Sequence, residues 1–373
     1  LGGALDGVPR EGGFELTVAT EIMAIMALAD DLADLQARLG RMLVAYTRDG
    51  APVTAADLKA DGAMAVLLSQ ALHPNLVQTL EGQPAFLHMG PFGNIAHGTN
   101  SVRATRLGLG LADYVVTEAG FATDLGMEKY FDLVCRQAGF RPAAVVVLAT
   151  VRALRHHGGA ESHKEPNPDA VKKGLANLAK HIENARLFGY DPVIALNRFS
   201  DDSPAELELV REFAKEAKVE FALADIWSKG GEGGVELAEA VLRAAEATTN
   251  FEPLYSLDSP IEQKLERIAT AVYGADGVDY TKEAKAAIRR AEAEGMGHTP
   301  VIVAKAAASL SDDPKLRGRP AGFRVTVTDL AQRRGAGFVV AYMGSINTLP
   351  GLPKDPAANR IQVGADGRTL GLF

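Results

Sequence analysis

Short unbroken apolar runs separated by charged segments of helical period constrain this chain more than any other feature. The runs are residues 143–150 (AAVVVLAT), 193–196 (VIAL) and 219–226 (VEFALADI). Between and after them lie 169–187, 205–218 (AELELVREFAKEAK) and 235–246, each reading as a helix. With a strand expected at 112–118, residues 112–234 read strand–helix–strand–helix–strand–helix–strand, the order of a doubly wound, mostly parallel sheet. Run 143–150 does not alternate, so it is expected to be buried on both faces.

In open α/β sheets ligands bind beyond the carboxyl ends of the strands. Run 193–196 ends in Asn197, Arg198 and Phe199; run 219–226 ends in Trp227, Ser228, Lys229 and the glycine-rich 230–234. Trp227 is the chain's one tryptophan. Spacing fits core filling and ligand stacking equally for this aromatic pair. Asn197 with Asp201, then Ser228-Lys229 after the next strand, loosely follows the base-recognition pattern of P-loop NTPases. There an amide pairs with a purine edge, a carboxylate accepts from ring nitrogens and a lysine stem covers the ring. No G-x-x-x-x-G-K-[ST] phosphate loop occurs, nor G-x-S-x-G, a Rossmann fingerprint or zinc spacing.

The flanks are also informative. Residues 17–39 read as one helix, 41–47 as a strand, 55–72 as a helix capped by Thr54, and 75–80 as a strand. Residues 84–104 (PAFLHMGPFGNIAHGTNSVRA) form a low-charge loop suited to function, with Asn94 and His97 as candidates. His88 and His97 are too far apart for a helical metal pair. Both read as structural, with His97 the more accessible. Glu118 and Asp124 flank a turn carrying Phe121, which suits a general base or cation ligand; the alternative for Asp124 is a helix cap before 126–135. Residues 151–168, with three histidines, read as a solvated loop or a mobile segment over a site. After residue 250 helices (261–273, 281–294) and strands (300–304, 323–327, 338–342) indicate a smaller α+β domain.

A chain of 373 residues with 47% apolar and 23% charged residues is globular, and its net charge of −8 argues against a nucleic-acid surface. One cysteine, Cys135, excludes an internal disulfide, fits a reducing compartment and reads as a buried thiol. No run approaches membrane-spanning length, and the first residues resemble no signal peptide. They also lack Met, so the chain reads as a fragment or processed piece.

Several phrases together resemble the formate–tetrahydrofolate ligase family. They are 13–24 (GFELTVATEIMA), 75–82 (NLVQTLEG), 90–101 (GPFGNIAHGTNS), 115–121 (VVTEAGF), 229–234 (KGGEGG) and 350–354 (PGLPK). The resemblance implies ATP-dependent ligation of formate to tetrahydrofolate through formyl phosphate. The products would be 10-formyltetrahydrofolate, ADP and phosphate, in cytoplasmic one-carbon metabolism. It implies Mg-ATP, a monovalent cation as activator and a homotetramer, with no membrane or nucleic acid as partner. Phe199, Leu223 and Trp227 match the family's pterin slot. Asn197 and the segment 222–224, Ala224 included, match the region around the nucleotide, to which the strand-end spacing adds Ser228 and Lys229; Asn94, His97, Glu118 and Phe121 are the candidates for a substrate loop. No metal ligand is assigned.

The expected fold is α/β of the P-loop NTPase type without its N-terminal P-loop part, since the chain reads as the C-terminal two-thirds of the pattern. The catalytic residues and phosphate loop would lie outside it, on a separate N-terminal chain or on none. In the latter case the chain would be an inactive folate- or nucleotide-binding homologue. Expected domains are 1–112, the remainder of one α/β domain; 113–249, the folate- and nucleotide-binding sheet; and 250–373, the C-terminal α+β domain. The middle sheet is expected to keep an open edge.

Overall fold

The computed structural model describes residues 15–344, 346 and 354–371. The family-like phrases at 13–14 and 350–353, and the tail 372–373, lie outside the described residues. The chain divides into two compact units, one formed by Leu1–Leu16 with Asn347–Phe373 and the other by Thr17–Ile346.

The large unit opens with α1 (Glu21–Leu28) and α2 (Leu32–Arg41), not one helix over 17–39. Asp31 turns extended and accepts a hydrogen bond from the Asp34 N–H, so it caps a new helix. A hairpin of β1 (Leu43–Tyr46) and β2 (Pro52–Thr54) follows. The helix expected from residue 55 starts later, as α3 (Asp61–Leu68), because Lys59 takes a positive φ of 56°. Strands β3 (Asn75–Gln78) and β4 (Pro84–Leu87) pair as a second hairpin, and α4 (Val102–Leu111) is capped by Ser101.

The strand expected over 112–118 does not form. Its neighbourhood holds one isolated bridge, Thr99 with Ala119, and Tyr114 and Val116 face outward. An apolar run becomes a strand only where another backbone meets its hydrogen-bonding groups. The next helical stretch is wound in wide π turns, Thr123–Met127 and Tyr130–Cys135, closing in α5 (Arg136–Ala138). Cys135 is buried there, and burial pushes its thiol up to about 12.

A three-stranded parallel sheet comes next. Its strands are β5 (Val146–Ala149), β6 (Val193–Asn197) and β7 (Phe221–Ala224), in the order β5-β6-β7. The crossovers contain α6 (Val151–His157) and α7 (Pro168–Leu187), then α8 (Pro204–Glu216). Central β6 is covered on both faces. Ile194 and Leu196 meet Leu178, Ile182 and Val210 on one side, and Val193 meets Ala240 on the other. Outer β5 is not. Val147 and Ala149 are buried, whereas Val146 and Leu148 are open to solvent, which corrects the expectation that this run is enclosed. Lack of alternation reports an apolar strand, not a cover on each face. Residues 151–168 are not wholly loop either, since they begin with α6.

After β7 come the short α9 (Ile226–Lys229), a glycine-rich 3-10 turn (Gly230–Gly234) and α10 (Val235–Ala245). Helix α11 (Ile261–Ile268), β8 (Val278–Tyr280), α12 (Lys282–Ala293), β9 (Val301–Ala304), β10 (Val325–Arg333) and β11 (Phe338–Met343) then build a mixed sheet ordered β8-β10-β11-β9. Its core is shared with α1, α2 and the π turns: Ile25, Leu35, Phe131, Ile268, Val303 and Phe338 belong to one cluster. Phe131 stacks on Phe188 and Tyr190 at 4.8 and 5.2 Å. In the small unit, β12 (Gln362–Val363) and β13 (Thr369–Leu370) form an antiparallel pair. The described residues thus form a mixed α/β structure with parallel strand pairs. No helix among them is long and apolar enough to cross a membrane.

Candidate functional site

Parallel pairing of β6 with β7 aligns Asn197 with Ala224, and the Arg198 N–H still reaches the Ala224 carbonyl at 2.9 Å. The two strands therefore release their chains at the same level. Phe199 follows one and Trp227 the other, so both aromatics arise at one sheet edge. Phe199 is half-buried; Trp227 is 95% exposed. No ring contact joins them among the described residues, so any slot between them stands open. Leu223 is half-buried and packs with the cluster under β6, and Ala224 is buried.

The Phe199 turn is tightly held. The Phe199 N–H donates to the Asp202 carboxylate at 2.8 Å, and the Asp202 N–H returns to the Phe199 carbonyl at 3.1 Å. Two arginines of α6 grip the turn. Arg155, fully buried, donates to Glu206 at 2.8 and 2.7 Å, to Asp201 Oδ2 at 3.0 Å, and to the carbonyls of Asp201 and His163 at 3.0 Å. Arg152 forks onto both Asp201 oxygens at 3.1 Å, and its Cζ lies 4.0 Å from the Phe199 ring centroid. The Arg152 hydrogen bond holds Asp201 at about 2. Burial alone would raise Glu206, but its bonds from Arg155 and Ser203 outweigh this and hold it at about 2. Both carboxylates stay charged at neutral pH.

On the β7 side Asp225 organises the residues expected near a nucleotide. Ser228 Oγ donates to Asp225, and Lys229 Nζ lies 3.4 Å and Arg198 3.3 Å from its carboxylate. Ser228 and Lys229 are thus both turned toward Asp225. Glu81, at the tip of the β3–β4 hairpin, accepts from the Gly231 N–H at 2.8 Å. That bond ties two of the family-like phrases, 75–82 and 229–234, together.

Asn94, His97 and Phe121 fall in a second cluster, where loop 93–98 packs on 118–126. The backbones touch so closely that a Cβ on Gly93 would lie 2.5 Å from the Gly120 carbonyl oxygen, and the Gly120 N–H donates to the Gly98 carbonyl at 2.8 Å. Lys129 donates to the carbonyls of Gly93 and Ala96 and fixes the loop from beneath. His97 is fully buried, with no partner for either ring nitrogen among the described residues, so it is not the accessible histidine expected. Burial, and then Lys129, hold it down to about 3, hence neutral. His88 does act structurally, with Ser101 Oγ at 2.6 Å and the Ala71 carbonyl at 2.9 Å. The Asn94 Oδ1 is buried without a partner among the described residues, Glu118 is exposed and Phe121 half-exposed at a positive φ of 65°. Asp124 is no helix cap. It is buried in a π turn against Lys305, at 2.7 Å.

No hydrogen bond, ion pair or ring contact among the described residues links this cluster to Phe199 or Trp227. Nor does any group of three or more His, Cys, Asp or Glu there suit a metal ion. A cleft of about 620 Å³ lined by Leu43, Tyr46, Arg290 and Leu330 holds none of the candidate residues. The sequence reading missed Arg152, Arg155 and Asp225. Arg152 lies in the first turn of the helix just past an apolar strand, a position that could have marked it; Arg155 is visible only once Glu206 is brought to it.

Comparisons with known proteins bear on the family of the chain as a whole. A family model described as formate–tetrahydrofolate ligase matches residues 1–373. A formate–tetrahydrofolate ligase of Thermus thermophilus is 62% identical over 372 residues, covering the whole of this chain and 68% of that protein. One from Staphylococcus aureus strain NCTC 8325 is 50% identical over 375 residues, with the same shares covered. The match takes in every residue of the chain and does not mark it as the C-terminal two-thirds of the pattern. Nothing in these similarities supports a separate chain bearing the phosphate loop. The chain belongs to the formate–tetrahydrofolate ligase family.

Proposed function

We propose that this chain performs the ATP-dependent ligation of formate to tetrahydrofolate, giving 10-formyltetrahydrofolate, ADP and phosphate by way of formyl phosphate. The observation that carries this, beside family membership, is the emergence of Phe199 and Trp227 from adjacent parallel strands at one level. A flat pterin entering between them would gain stacking on two faces, with Leu223 beneath. Asn197 would offer its amide to a purine edge, and Lys229, released from Asp225, would lay its stem along the base. Asn94, His97, Glu118 and Phe121 would border the formate side. His97, held neutral, would then serve as a hydrogen-bonding group and not as a cation.

The same reading includes Mg2+ with the ATP, a monovalent cation as activator, a homotetramer, a cytoplasmic setting and a P-loop NTPase-like sheet. The working domain boundaries are 1–112, 113–249 and 250–373. The family match across residues 1–373 favours ligase over a folate-binding protein without turnover.

Trp227 fluorescence tests the reading, since the chain's sole tryptophan is almost wholly exposed. Tetrahydrofolate should quench it saturably, and Trp227→Leu should bind more weakly in a calorimetric titration. ADP release with formate and ATP separates ligase from binder. Absence of both quenching and ADP release would overturn the assignment.

A further inference from the structure

We propose that Arg152 is a positioning residue that backs Phe199 and biases its open face toward the reduced, electron-rich pterin. The inference rests on the reading of Phe199 and Trp227 as the pterin slot. Three observations carry it. The Arg152 guanidinium lies over the Phe199 ring, with Cζ 4.0 Å from the centroid, so that one ring face is taken. The guanidinium cannot wander, because Asp201 holds it by Nε at 3.1 Å to each oxygen, and a further bond from Nη2 closes the fork. Asp201 is itself fixed by the buried Arg155, and the Phe199 backbone by Asp202.

A ligand ring can therefore stack on Phe199 from the other side only. A cation against one face of an aromatic ring draws π density toward itself and leaves the far face less negative. That far face then attracts an electron-rich ring more strongly. Tetrahydropterin, with its saturated pyrazine ring and donor amines, is richer in electrons than fully oxidised pterin. Arg152 thus adds discrimination by oxidation state to a slot whose shape alone accepts both. It touches neither the ligand nor the reacting atoms, and its side chain remains about one-third exposed, so it is not a structural pillar like Arg155.

The test compares Arg152→Met and Arg152→Lys with the unaltered chain, titrating tetrahydrofolate and folic acid separately against Trp227 fluorescence. Arg152→Met should weaken tetrahydrofolate binding about five-fold while folic acid changes less than about two-fold. Arg152→Lys, which keeps the cation but not the fork, should recover part of the discrimination. An equal loss for both pterins would reduce Arg152 to a purely structural role, and no loss for either would also refute the proposal. Phe199→Leu separates the two readings. If it leaves tetrahydrofolate binding intact, the pterin slot itself is misplaced. If it weakens binding while Arg152→Met does not, the slot stands and only the inference falls.

Discussion

Replacing Arg155 by Met should destabilise the fold around the Phe199 turn in a strongly pH-dependent way. The guanidinium is fully buried and makes five hydrogen bonds, two of them to a Glu206 carboxylate that is also buried. Breaking a buried pair from one side costs about 3–5 kcal/mol, because a charge is left without its partner. Here the lower part of that range applies. Glu206 keeps bonds from the Asn167 N–H at 2.7 Å and from Ser203 N and Oγ at 3.0 and 2.7 Å. Asp201 keeps Arg152. An expected loss of about 3 kcal/mol at pH 7 follows.

The sign of the pH effect follows from the same groups. In the unaltered protein Glu206 and Asp201 sit at about 2, below their ordinary values. Their contribution is present above about pH 4 and is lost as pH falls through about 2. In Arg155→Met the guanidinium that outweighed burial is gone, so the Glu206 carboxyl rises in the folded state. Protonating it then relieves the variant as pH falls toward 4. The stability gap between the two proteins should thus be widest at pH 7 and narrow toward pH 4. Urea unfolding at pH 7, 5.5 and 4, followed by circular dichroism, measures it. A gap below about 1 kcal/mol at pH 7, or one that stays constant across these pH values, would refute the argument.

Other sites give sharper local tests. Gly174 lets α7 lie against α6, and a Cβ there would sit 2.1 Å from the Leu154 carbonyl oxygen, so Gly174→Ala should cost about 1–3 kcal/mol in urea unfolding. Ala122 holds φ 65° and ψ −170°, a region natural to glycine, so Ala122→Gly should raise stability by about 1 kcal/mol and lift the melting temperature. Burial, with the neighbouring Asp132 carboxylate, keeps Glu128 protonated well above the usual carboxylate range. A carboxyl raised in the folded state loses stability as pH climbs past its unfolded value, so Glu128→Gln should stabilise the protein more at pH 8 than at pH 5. A melting-temperature difference independent of pH would count against that account.

Much of the strand-end site was legible because its signals are local. The run at 193–196, the helix after it and the polar residues that follow all depend on near neighbours in sequence. The π-wound segment, the absence of a strand at 112–118 and the two helices in place of one at 17–39 were not legible. The first two depend on partners distant along the chain, and the third on Asp31 capping a helix inside an apolar pattern that reads as continuous. His97 shows the limit best. Its small neighbours Ala96 and Gly98 suggested access, but Gly98 bonds to the Gly120 backbone, Lys129 holds the Ala96 carbonyl, and the ring is fully buried with Phe338 6.3 Å away.

The sequence alone determined that residues 193–234 would deliver Phe199 and Trp227 past two apolar strands, because strand, turn and helix periodicities are written in consecutive residues. The family phrases are likewise a property of order along the chain. Tertiary structure alone decided that β6 and β7 pair in the register that levels Asn197 with Ala224. It also set Arg152 behind Phe199 across 47 positions of chain, and brought Glu81 to Gly231. A guanidinium, a carboxylate and an aromatic ring have no fixed offset that announces their meeting. Their contacts arise when crossover helices pack onto a sheet, and only that packing selects which charges face one another.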